Sequence, residues 1–142
     1  MKKLMFVASV VFVAGSLFAV ATKRTYRDAQ GRNMGSASMD SSGRATYRDA
    51  QGRNLGSSTM IGSRTTYRDS LGRNQGSATT DSSGNMTYRD SQGRMMGTAR
   101  TDSTGKVTYR DAQGRLQGTA MTDSSGRTVY RDTRGRLQGT KK

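Results

Sequence analysis

Two residue types in this chain have the chemistry to do work, and both recur at fixed spacing. Ten aspartates, at positions 28, 40, 49, 69, 81, 90, 102, 111, 123 and 132, are the whole acidic complement. Paired carboxylates can serve as general acid and base, but only where unlike environments push their pKa values apart. These ten stand in near-identical surroundings, each with Gly three residues later and Arg, Lys or Asn four residues later. That pattern belongs to a turn: Asp at its first position bonds its own backbone two residues on, and Gly closes it. The arginines fall into two classes. Arg32, Arg53, Arg73, Arg94, Arg115 and Arg136 follow the turn Gly and can pair with the Asp four residues back. Arg27, Arg48, Arg68, Arg89, Arg110 and Arg131 follow Tyr and have no acid beside them on their own strand face. A guanidinium meets phosphate or carboxylate with two parallel donors, so this second class holds the candidate polyanion contacts.

Other chemistries lack their residues. The chain contains no His, Cys, Pro, Trp or Glu, which removes a zinc cage, a thiol nucleophile, a disulfide framework and a His general base. Ser and Thr are plentiful, yet only Asp could activate one as a nucleophile. Calcium loops of the Asp-x-Asp-x-Asp-Gly or Gly-Gly-x-Gly-x-Asp kinds do not occur. No catalytic residue, metal or cofactor is expected, and the chain does not read as an enzyme. Asn85-Met86-Thr87 matches a glycosylation sequon.

The 142 residues carry a net charge of +14, and they divide into two segments. Lys2 and Lys3 precede an apolar run from Leu4 to Phe18, followed by Ala19-Val20-Ala21. This is the layout of a secretory signal peptide over 1–21 with a small-x-small cleavage site. The alternative is a retained anchor, with Lys23 and Arg24 as the stop. Export to the periplasm, cell surface or exterior is the expectation, with a single domain over 22–142. By composition that remainder is polar and basic enough to stay disordered. Its periodicity argues otherwise.

Tyr26, Tyr47, Tyr67, Tyr88, Tyr109 and Tyr130 are all the tyrosines, spaced 21, 20, 21, 21 and 21 residues apart, each opening a Tyr-Arg-Asp-x-x-Gly-Arg unit. Between these units stands a second turn, Asp-Ser-Ser-Gly or Asp-Ser-Thr-Gly, replaced once by the shorter Met60-Ile61-Gly62-Ser63. Two turns per repeat predict about twelve short antiparallel strands joined as hairpins, rich in Thr, Tyr and Met. Helix is disfavoured by a Gly or Asp every few residues. Counting outward from the turns, successive tyrosines would alternate faces unless each repeat absorbs one residue in a bulge, because side-chain direction has period two. Gly35, Gly56, Gly76, Gly97, Gly118 and Gly139 make no turn and are the natural bulge sites. The predicted class is all-β: hairpin repeats closed into a shallow pseudo-symmetric barrel, which removes both bare edges and pools the tyrosines. A β-solenoid with one repeat per coil is the alternative.

The run TYRDAQGRLQGTA at 108–120, reiterated six times after a signal sequence, resembles the bacterial β-flower proteins. The resemblance spans Thr25 to Thr140 and implies a shallow barrel with splayed strands, and no chemistry. A weaker resemblance is to the YD repeats of Rhs-type toxin shells, whose Tyr-Asp pair is interrupted here by Arg27 and its equivalents. Choline-binding cell-wall repeats are also hairpins of similar length, but their cage needs Trp.

The leading functional expectation is an exported, non-enzymatic protein. Its repeated arginines would bind anionic envelope polymers or lipids such as lipopolysaccharide, teichoic acid or extracellular DNA. The alternative is a structural, self-assembling or protein-interaction module at the envelope. Met95, Met96, Leu116 and Leu137 make the C-terminal repeats more apolar than the first three, where Asn33, Asn54 and Asn74 stand at the equivalent place. A regular Thr-x-Thr ladder, as ice binding would need, is not evident.

Overall fold

A computed structural model describes residues 23–142; the segment read as a signal peptide lies outside the described residues. Twelve strands follow in order: β1 (Lys23–Asp28), β2 (Asn33–Met39), β3 (Arg44–Asp49), β4 (Asn54–Ile61), β5 (Arg64–Asp69) and β6 (Asn74–Thr80). The second half comprises β7 (Met86–Asp90), β8 (Met95–Thr101), β9 (Lys106–Asp111), β10 (Leu116–Thr122), β11 (Thr128–Arg131) and β12 (Leu137–Lys141). Each strand pairs antiparallel with its neighbours in sequence, and β12 returns to pair with β1. The result is a closed barrel of hairpins, which sets aside the solenoid.

Local chemistry builds the hairpins. In the first Tyr-Arg-Asp turn the amide of Gly31 donates to the Asp28 carbonyl at 3.0 Å, and that of Asp28 to the Arg32 carbonyl at 3.0 Å. Gly31 sits at φ 80°, a conformation that costs a residue with a Cβ about 1 kcal/mol. The short variant closes differently: Ile61 pairs with Arg64 across a two-residue turn, with Gly62 at φ 58°.

The bulge falls in every repeat. A straight count from the first turn sets Tyr26 opposite Met34, but Tyr26 pairs with Gly35 and Arg27 with Asn33, leaving Met34 as the extra residue. The residue that bulges is therefore the one before the glycine. Leu55, Gln75, Met96, Gln117 and Gln138 stand at the same step. The slip restores parity, so all six tyrosines turn to one interior.

Each tyrosine lies across the ladder from a glycine on one side and, for all but Tyr26, from Ala or Ser on the other. Tyr47 faces Gly56 and Ala37, and Tyr88 faces Gly97 and Ala78. An aromatic ring laid over a cross-strand glycine covers backbone that no Cβ shields. Two apolar clusters result. One joins Tyr67, Ala78, Met86, Tyr88 and Ala99, flanked by Val107 and Tyr109; the other joins Ala37, Ala45 and Tyr47, flanked by Tyr26, Met39 and Leu55. The arc from β11 to β1 is polar instead, with Thr128, Lys141 and Arg24 at the inward positions.

Candidate functional site

The Tyr-Arg-Asp turns gather at one end of the barrel, and each is held from both sides by arginine. In the fifth, Asp111 Oδ1 accepts the amides of Gln113 and Arg115 at 3.0 and 2.9 Å, and Oδ2 accepts Nε of Arg115 at 2.8 Å. The same ion pair recurs six times, at 2.6–2.9 Å, with the arginine largely exposed each time. Partial desolvation pushes the carboxyls of Asp28, Asp49, Asp69 and Asp111 up. Hydrogen bonds from the arginine four residues on outweigh it, so these acids titrate below their ordinary value. Both oxygens are thus committed to the turn. Among the described residues no three carboxylates come together.

Arg27, Arg48, Arg68, Arg89, Arg110 and Arg131 all lie exposed on the outer face at this same end. Each has a backbone partner in its own turn. Nη1 of each donates to the carbonyl of the turn glycine four residues later, at 2.7–2.9 Å. That bond ties one donor of each guanidinium to its own turn, on a side chain that is otherwise exposed. On one side their neighbours across the ladder are hydroxyls: Thr140, Ser36, Ser57, Ser77, Thr98 and Thr119 in turn.

The difference between early and late repeats has a structural cause. Asn33, Asn54 and Asn74 accept the amide of the bulge glycine two residues on, at 2.9–3.0 Å. Met95, Leu116 and Leu137 take that place in the later repeats, cannot make the bond, and stand 44%, 39% and 38% exposed. They pair across the ladder with Arg89, Arg110 and Arg131. Three of the six arginines therefore have an exposed apolar neighbour.

A second constellation escaped the sequence reading. Lys141 on β12 is 5% exposed and pairs with the inward residues Tyr26 and Thr128. The other repeats place Ala37, Ser58, Ala78, Ala99 and Ala120 at this position. Arg24 on β1 likewise stands where Ala45, Thr65, Met86, Val107 and Thr128 stand, and is half-buried. Burial, and then the charge of Arg24, pull the Lys141 pKa down to about 8. No carboxylate among the described residues forms an ion pair with either cation. Beside them, Tyr130 Oη is buried without a partner of full hydrogen-bond geometry. The Thr128 hydroxyl approaches it and also bonds Thr122 at 2.8 Å. Aligning the repeats column by column, out to the last strand, would have exposed both substitutions.

No family model matches the chain, and no curated protein matches it. Among solved structures it is similar to BamB from Moraxella catarrhalis, at 10% identity and a TM-score of 0.30, over 77% of this chain and 54% of that one. The chain thus spans about half the length of that structure, and a likeness this low carries no argument.

Proposed function

We propose that this is an exported barrel of the β-flower kind that binds phosphate-rich polymers or lipids of the cell envelope through Arg27, Arg48, Arg68, Arg89, Arg110 and Arg131. The observation that carries the reading is the set of six glycine-carbonyl clamps. They tether six guanidiniums by the same bond around one end of the barrel, beside hydroxyls that can also donate to phosphate oxygens. Pre-oriented donors lose less side-chain freedom on binding than mobile ones. The charge excess adds attraction that falls with salt.

Of the anionic partners, a lipid surface is favoured on one side of the ring. There Met95, Met96, Leu116 and Leu137 stand among Arg89, Arg110 and Arg131, which suits a boundary between headgroups and acyl chains.

The test is a salt series of binding to lipopolysaccharide vesicles and to duplex DNA. For DNA, replacing Arg68, Arg89 and Arg110 by Gln lowers the log–log salt slope by about 3, since each phosphate contact contributes about 0.9. Binding that ignores salt, or is unchanged in the triple variant, overturns the reading. A stable oligomer in light scattering, without anion binding, would instead support an assembly module.

A further inference from the structure

We propose that the barrel interior, at the junction of β12 and β1, is a binding site for a tetrahedral oxyanion of the phosphate class, held by Lys141, Arg24 and the hydroxyl of Tyr130. The site shares no residue with the outer arginine ring and is independent of it.

The fold itself does not call for these cations. At the Lys141 position the other repeats carry only Ala or Ser, and at the Arg24 position only Ala, Thr, Met or Val. A cation that is 5% exposed and forms no ion pair among the described residues is costly to bury, and an anion that neutralises it recovers that cost. The two aspartates on the flanking strand ends cannot turn inward to do so. Asp28 and Asp132 are held by Arg32 and Arg136 at 2.6 and 2.9 Å.

The donor set selects the ligand. Lys141 offers a compact ammonium, Arg24 a planar fork, and Tyr130 a buried hydroxyl lacking a well-placed partner. They come from three adjacent strands, β12, β1 and β11, and all three stand at inward positions. A planar carboxylate can satisfy one fork; a tetrahedral dianion presents oxygens to all three and matches the two positive charges. Arg24 lies two residues from Tyr26 toward the end where the chain enters β1, and it is only half-buried, so it marks the side of entry.

The experiment is thermal unfolding of the purified protein in inorganic phosphate, glycerol phosphate or acetate, each at one fixed ionic strength. Phosphate should raise Tm saturably, by about 5–10 °C at roughly a hundredfold excess over its Kd. Lys141→Ala installs the residue found in four sister repeats, so it should fold; it should abolish the phosphate response. Arg24→Thr should weaken the response at least about tenfold, the effect of losing one charged contact worth 1.4 kcal/mol or more. The Arg68, Arg89 and Arg110 to Gln triple variant should keep it, which separates this site from the outer ring. Broadening of the phosphate ³¹P resonance by wild type but not by Lys141→Ala gives a readout that does not depend on stability. A response to phosphate alone assigns the free ion, and a response to glycerol phosphate as well assigns a phosphomonoester head group. An equal Tm rise with acetate, or a Lys141→Ala variant that still answers to phosphate, overturns the site.

Discussion

The carbonyl oxygen of Arg110 occupies the place that a Cβ on Gly97 would need. Gly97 also has φ 159°, and it follows the extra residue that turns the tyrosines to a common face. Gly93, in the turn just before, is at φ 83° with open space around it. The two glycines therefore predict unequal costs. Gly93→Ala should lose about 1 kcal/mol, the strain of the left-handed conformation. Gly97→Ala should lose about 3 kcal/mol or more, since backbone on two strands must shift. Urea denaturation of both variants checks the order; equal losses would mean that the close approach to Arg110 is relaxed at little cost.

That bulge was legible from parity alone, because the turns fixed where each hairpin must reverse. What parity could not say is which residue slips. Met34 bulges and Gly35 accommodates it, a choice made by the neighbouring Arg48 carbonyl on β3, which no local count includes. The Asp turns were legible for the opposite reason, since every bond of Asp111 within its turn is to residues two to four positions away. The glycine-carbonyl clamp of Arg110 was missed although it too is local. Its reach depends on how the strand twists into the turn. Arg24 and Lys141 were missed because they become neighbours only through the closure of β1 on β12.

The clamp separates charge from geometry. Arg110→Lys keeps the positive charge but cannot both reach the Gly114 carbonyl, now 2.7 Å from Nη1, and present a fork outward. The expected loss is about 0.5–1 kcal/mol in a urea melt. Affinity for duplex DNA should fall only slightly at low salt, because a lysine still neutralises a phosphate. Repeating the change at Arg48, Arg68, Arg89 and Arg131 should give additive losses, these turns sharing no partners. A lysine series as stable as wild type would show that the bond adds nothing to the hairpins.

Alkaline pH should act on stability in two opposite ways. Folded, Lys141 gives up its proton near pH 8, whereas unfolded it holds it to about 10.4. Between those values the unfolded chain binds more protons, so stability rises with pH. All six tyrosines are shifted the other way, upward, with burial the leading cause. Their contribution is fully present below their ordinary value of about 10 and is lost as pH climbs above it, because the unfolded phenols then release protons that the folded ones retain. Stability should therefore peak between about pH 8 and 10, then collapse steeply with the appearance of tyrosinate absorbance. In Lys141→Ala the rise should vanish and the collapse remain. Urea midpoints at half-unit pH steps read both limbs, and a wild-type curve flat from pH 8 to 10 would contradict the buried, unpaired lysine.

The exposed side chains of Met95, Leu116 and Leu137 can be removed without touching charge or fold, because the protein already contains the replacement. Asn74 shows how an asparagine there bonds the bulge glycine, with Oδ1 accepting the Gly76 amide at 3.0 Å. Changing all three to Asn should rebuild that bond in the later repeats and raise stability by about 0.5–1 kcal/mol per site. The same change strips apolar surface from beside Arg89, Arg110 and Arg131. Partitioning onto anionic lipid vesicles should then fall by about tenfold or more, at roughly 0.8 kcal/mol for each CH₂ group no longer buried in lipid. Binding to duplex DNA, which offers no acyl phase, should hold. Vesicle sedimentation beside a DNA titration of the triple variant distinguishes the cases. Equal losses on both ligands would mean that the asparagines disturb the arginines themselves. No loss on either would mean that these side chains take no part in binding and that a lipid surface has no special claim on this side of the ring.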